Sequence, residues 1–314
     1  RTARTRQEVE LLMREPARPS VSRRTAPSIP PQPVAVQRRT ALRQTSTLIR
    51  RQVRLIASDI GYSVFLAVLP VVLGVLALVV PGDDGFGMPP PLEAGESPST
   101  EPGQLLVLMV LGACFMGASL TVRDLVGERP VFHRERSAGL FPGAYLASKL
   151  VVFLLASTLQ AAILTTIVLA NKAGPEDGAL LPSGSAELLV VIALISACSA
   201  VVGMALSALV KSSEQAMPLL VVVIMTQLVM SGGLIPVTGR VGLAQLSLLF
   251  PARWGFAAGA STVDLRTIEA VAEQDLLWVH APQQWLLSAL ALIFIAILLA
   301  LLTYSRLRLK DSRR

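Results

Sequence analysis

Residues able to do chemistry are few in this chain, and they crowd into one stretch. Val126-Gly-Glu-Arg-Pro-Val-Phe-His-Arg-Glu-Arg-Ser-Ala-Gly-Leu-Phe141 packs charges of both signs around a single Phe132. Glu128, Arg129, Arg134 and Glu135 suit a short helix that docks into a charged cleft of another protein, with Phe132 as the buried anchor of that contact. Catalytic patterns are missing. No Gly-x-x-x-x-Gly-Lys-Ser/Thr occurs to cradle a nucleotide's phosphates, so the chain by itself is expected to hydrolyse nothing. His133 and His280 are far apart in sequence and fall in different loops, which argues against a metal site. Cys114 and Cys198 both lie inside apolar runs and do not form an extracellular disulfide framework.

The elements that must position this loop are membrane helices. Of 314 residues 53% are hydrophobic, above the range of about 45–50% typical of soluble domains even when glycine is counted. Crossing a hydrocarbon core takes about 20 apolar residues. Six stretches qualify: Ile60 to Val80, Leu105 to Val122, Gly143 to Ala170, Leu188 to Val210, Met217 to Ile235, and Trp285 to Tyr304. The centres of these spans carry no ionisable residue, which argues against an intramembrane enzyme. Ser196, Ser199, Gly203 and Ser207 form a ridge of small residues on the fourth span that lets another helix approach closely. Lys149, near the end of the third span, can snorkel or pair with a loop acid.

Loop charges set the direction, because Lys and Arg accumulate on the cytoplasmic side. Arg50, Arg51 and Arg54 precede the first span. Arg123, Arg129, Arg134 and Arg136 follow the second, and Arg306, Arg308, Lys310, Arg313 and Arg314 close the chain. These segments, and both termini with them, are expected in the cytoplasm and the chain in the plasma membrane. Pro81 to Gln104, with five acids and no basic residue, belongs outside, as does Asn171 to Glu187. Within the long outer loop from Pro236 to Gln284, Val241 to Phe250 is apolar but too short to span, and is expected to form a re-entrant or interfacial helix.

Four segments follow. Residues 1–38 are a basic, proline-rich linker without sustained periodicity, expected to be flexible and attracted to anionic lipid headgroups; without aromatic interleaving, no nucleic-acid partner is expected. Residues 39–59 are a connector: Leu42, Thr45, Ile49, Val53 and Ile56 recur at helical spacing, with Arg43, Arg50 and Arg54 on another face, as in an amphipathic helix on the inner leaflet. Residues 60–310 hold the six spans, and 311–314 are a tail. The fold class is an all-α membrane protein of six transmembrane helices, with an N-terminal amphipathic connector helix, a cytoplasmic coupling helix and a re-entrant outer-loop helix.

Gly127-Glu-Arg-Pro-Val-Phe-His-Arg-Glu-Arg-Ser-Ala-Gly139, followed by Tyr145 and Lys149, resembles the coupling helix and third span of the permease domains of G-subfamily ABC transporters, in the type-2 ABC permease group. Ser231-Gly-Gly-Leu-Ile-Pro236 and Phe250-Pro-Ala-Arg-Trp-Gly-Phe256 match the same family in the same order. High Arg, Ala and Pro content fits a GC-rich actinobacterial genome. The resemblance implies an exporter permease whose ATPase domain, carrying ATP and Mg, lies N-terminal on the same polypeptide, with two copies forming the working unit. It further implies that Glu128, Arg129, Phe132, Arg134 and Glu135 transmit ATP-driven closure, and that Arg50, Arg51 and Arg54 lie on the connector helix. Met116, Thr226, Val229 and Met230 would line a central cavity, and Leu234 and Ile235 would form its outer gate. The apolar spans favour a lipid-like or other amphipathic cargo. The rival reading is an ion-coupled secondary transporter or channel, which normally places charged or broken-helix sites at mid-membrane; beyond Pro70 this chain shows neither.

Overall fold

The computed structural model describes residues 34–89, 98–269 and 271–309. The expected linker up to Pro33, Glu93 and Glu96 of the first outer loop, and the last five residues lie outside that range. Among the described residues every regular element is a helix. The described residues from Arg39 onward form one compact unit.

Helix α1 (Val34–Ser58) begins five residues earlier than the connector boundary expected at residue 39, and ends where Asp59 caps the next helix by accepting the Tyr62 N–H. Six helices are long and apolar enough to span a membrane: α2 (Ile60–Ala77), α3 (Glu101–Thr121), α6 (Pro142–Asn171), α7 (Gly184–Leu209), α8 (Ser213–Met230) and α12 (Pro282–Leu309). Each starts within a few residues of the apolar run that foretold it. Between them stand α4 (Asp124–Gly127), α5 (Arg129–Ser137), α9 (Leu243–Ser247), α10 (Pro251–Thr262), α11 (Leu265–Ile268) and a 3-10 turn at Leu276–Trp278.

The centre of the bundle is the α3–α7 pair, its most extensive helix contact. The small-residue ridge makes this possible. Ser196, Ser199 and Ser207 are fully buried, a side chain at Gly117 would collide with the Ser196 carbonyl, and one at Gly203 would collide with the Ala118 carbonyl. Thr121 donates to the Ala200 carbonyl at 2.7 Å and the Val126 N–H to Ser207 Oγ at 3.0 Å. Two backbones this close gain dispersion contacts that larger side chains would prevent. Around this pair α2, α8 and α12 turn most of their apolar surface outward, as helices do when lipid or another copy covers them.

The outer loop differs from expectation. Val241 to Phe250 yields only the five-residue α9, and Val241, Leu246, Leu248 and Leu249 are exposed. The buried helix of that loop is α10, twelve residues and about 18 Å long. It is too short to cross a bilayer, and it packs on α3, α7 and α12. Its Ala, Gly and Ser residues, buried almost throughout, let it sit close to those neighbours. At the same end Lys172 is bound to Glu101 at 2.6 Å, and the fully buried Glu187 accepts the N–H groups of Ala179, Leu180 and Leu181 together with the Thr262 hydroxyl.

Candidate coupling site

Where α3 ends, the chain does not turn straight back. It steps through α4 into α5, whose Pro130 occupies the first turn, where the missing N–H costs nothing, and returns through Gly139 at φ +102° into α6. This places Asp124 and Glu128 on either side of a lysine about two turns into α6.

That lysine, Lys149, is the keystone. Its side chain is 2% exposed, and Nζ lies 2.8 Å from Asp124 Oδ2 and 2.9 Å from Glu128 Oε2. It also donates to Gln52 Oε1 of α1 at 3.1 Å, and the Tyr145 ring centroid stands 5.2 Å away. Gln52 in turn donates to Asp124 at 3.3 Å, and the Tyr145 hydroxyl to Glu128 at 3.1 Å. An ammonium out of water is tolerable only when its N–H groups are answered, and here carboxylate and amide oxygens from α1, α4 and the start of α5 answer them.

Phe132 does not project toward a partner. It is 4% exposed, and its ring lies 4.7 Å from that of Tyr145, in a cluster with Leu125, Leu146 and Phe153. The expected anchor for another protein is thus already used inside the chain, because α5 must cover the ends of α4 and α6. The other candidates divide likewise. Glu128 is held by Lys149 and Tyr145. Arg129 donates to the carbonyls of Val210 (2.7 Å) and Lys211 (3.3 Å) in the turn between α7 and α8, and Glu135 pairs with Arg51 at 2.7 Å. Of the five residues only Arg134 is exposed, and it belongs to a stripe of exposed positions, Pro130, His133, Arg134 and Ser137, at helical spacing. On α1, Arg50 and Arg54 are exposed, while Arg51 turns inward. The apolar stripe splits. Leu42 and Val53 face outward, and the side that meets the bundle is Gln44, Leu48, Gln52 and Ile56.

The remaining predicted residues lie elsewhere. Met116 is fully buried in the chain's own core and cannot line a cavity; Phe115 and Ser119 are the residues of that turn that reach the surface of α3. Thr226, Val229 and Met230 are half-buried on α8, and the Thr226 hydroxyl donates to the Val222 carbonyl of its own helix. Leu234 is 55% exposed and Ile235 half-buried, in a loop pinned by Arg253, which pairs with Asp275 and donates to the Ser231 carbonyl. The sequence reading missed Gln227, a fully buried amide on α8 whose oxygen accepts from the Cys114 thiol of α3. Its signal was a lone glutamine in an apolar run.

Outside the spans Glu269, in the loop after α11, accepts the Gly103 N–H at 2.8 Å near the start of α3. Burial pushes its carboxyl above the usual carboxylate range, and the Gly103 hydrogen bond only partly opposes this.

Six membrane-length helices, with a short charged helix braced against the bundle at one end, make the architecture of a membrane permease. Residues 43–262 match the ABC-2 type transporter family, and the chain belongs to that family. It is 48% identical over 297 residues to the ABC transporter ATP-binding/permease protein Rv1747 of Mycobacterium tuberculosis. The alignment covers 91% of this chain and 34% of that protein, so the chain spans about a third of its relative's length.

Proposed function

We propose that this chain is the permease part of an ATP-driven exporter. It moves a lipophilic or amphipathic cargo, of the lipid or glycolipid kind, outward by alternating access. The ATPase domain lies N-terminal on the same polypeptide and supplies ATP and Mg chemistry, two permease copies make the working unit, and both termini lie in the cytoplasm of a plasma-membrane protein. The relative's combined ATP-binding and permease name supports the fused arrangement, and the arginines gathered at the α1, α5 and α12 ends support the sidedness. The outward apolar faces of α2 and α8 leave room for a second copy and for membrane lipid.

The observation that carries the reading is the bracing of α5. Its inner face is bound to α1, α6, the α7–α8 turn and α12, the last through Arg136, which donates to the Leu307 carbonyl at 3.1 Å. Its outer stripe of Pro130, His133, Arg134 and Ser137 is exposed, as a surface receiving force from an ATPase must be. With the full-length polypeptide in liposomes, Arg134→Glu should lower lipid-stimulated ATP hydrolysis and transport by about tenfold or more, because reversing one charge of a docking face costs several kcal/mol. Thermal unfolding should not change. Normal hydrolysis and transport in Arg134→Glu and in His133→Glu would remove α5 as the docking element. Transport that persists without ATP would favour an ion-coupled carrier.

A further inference from the structure

Beside the Lys149 cluster a cavity of about 490 Å³ opens among α1, α2, α3, α6 and α8, within the size range that holds small amphiphiles. Its two walls differ in chemistry. Toward the arginine-rich end stand Gln52, Asp124 and Glu128, whose polar atoms Lys149 already engages. Arg123 stands with them, exposed, and its guanidinium has no hydrogen-bond or ion-pair partner among the described residues. Toward the bilayer the wall is carbon: Phe65, Leu120, Phe153 and Met217. Phe65 is 46% and Met217 36% exposed. Helices α2 and α8 both pack on α3 but make little contact with each other, so the cavity is open sideways between them.

Lys149 offsets one of the two carboxylate charges, so Arg123 balances the other and is the lining cation whose guanidinium is left open to a ligand. A guanidinium at this depth prefers a phosphate, which it binds with two parallel hydrogen bonds. The exposed aromatic and thioether surface beside it prefers hydrocarbon over water. We propose that this cavity is a loading site for an anionic phospholipid-like amphiphile drawn from the adjoining leaflet, its phosphate on Arg123 and its first chain segments against Phe65, Leu120 and Met217. The proposal rests on the reading of the chain as a transporter of lipophilic cargo, but binding can be read without transport.

The test uses full-length polypeptide in phosphatidylcholine nanodiscs containing a small fraction of phosphatidylglycerol with a diazirine in its acyl chain. After photolysis, peptides carrying Phe65 and Met217 should be labelled, and more strongly than with the phosphatidylcholine analogue. Arg123→Gln should lower that labelling about fivefold, the effect of one arginine at a membrane surface, and Arg123→Lys should keep most of it. Arg43→Gln, an exposed arginine on α1, should leave it unchanged, and inorganic phosphate should not compete. Equal labelling in Arg123→Gln, an equal loss in Arg43→Gln, or displacement by inorganic phosphate would each overturn the site. Loss of labelling specificity beside intact ATP-driven transport removes this site and leaves the function standing. Specific labelling without ATP-driven transport does the reverse.

Discussion

Replacing Lys149 by methionine keeps most of the length of the side chain and removes its charge. Asp124, 10% exposed, and Glu128, 24% exposed, would then face each other across the cleft with no cation between them. Removing one partner of a buried ion pair typically costs about 3–5 kcal/mol, because the remaining charge stays desolvated. Partial exposure of Glu128 puts the expected loss near the lower end, about 3 kcal/mol, which corresponds to a fall in unfolding temperature on the order of 10 °C. Neutralising the carboxylates as well, in Lys149→Met/Asp124→Asn/Glu128→Gln, should recover more than half of that loss, since amides are cheaper to bury than charges. The protein carries its own reporter: Cys114 and Cys198 are both free and buried, so a thiol-reactive fluorophore reads unfolding directly. If Lys149→Met unfolds within a degree or two of the wild type, or the triple variant falls further than the single one, the cluster does not hold these elements together as argued.

Two further outcomes follow from the opposite end. Glu187 gathers three backbone N–H groups of the 171–183 loop and the Thr262 hydroxyl, so Glu187→Ala should cost about 3 kcal/mol in unsatisfied donors and make that loop the first site of cleavage in limited proteolysis; protection equal to wild type would refute it. Glu269 has a carboxyl raised by burial, so the folded state holds its proton more tightly than the unfolded chain, whose carboxyl titrates near about 4.3. That contribution is complete below the unfolded value and is lost as pH rises through the folded one. The unfolding temperature of the wild type relative to Glu269→Gln should therefore fall as pH rises through that window, and a difference that stays flat or rises would reverse the assignment.

The spans were readable because a membrane helix must be apolar along its length, whatever its neighbours are. The candidate coupling site was readable only as a composition. Lys149 and Asp124 are separated by 25 positions, and pairing them needs the return through α4 and α5, which no periodicity announces. Phe132 illustrates the same limit: one aromatic residue on a short charged helix shows that one face is apolar, but not whether this chain or another covers it. On α1 the more apolar stripe, with Leu42 and Val53, drew attention, yet Gln44 and Gln52 supply the inward bonds, because the bundle's end offers carboxyl and carbonyl groups. In the outer loop hydropathy favoured Val241 to Phe250. Close packing selected Pro251–Thr262 instead, whose small side chains contribute little hydropathy and permit close approach.

The bonds that brace α5 differ in strength, and the difference orders the motions open to it. The tie to α6 is an ion cluster around the buried Lys149 ammonium, layered on the Phe132–Tyr145 contact. The direct tie to α1 is the Arg51–Glu135 pair, 36% and 31% exposed, and such pairs are worth about 0.2–1 kcal/mol once solvent screens them. The rest of the hold on α1 is two glutamines and the part-buried Leu48 and Ile56. On the proposed coupling role, a push on the exposed stripe of α5 would move α5 and α6 together, and the seam held by the weaker bonds is the one against the connector helix. Gln52 lies in that seam, bonding both Lys149 and Asp124, and it lines the cavity that opens beside Arg123. Displacing α1 would alter the polar wall of that cavity and so link the proposed amphiphile site to the proposed docking face through side chains already in contact.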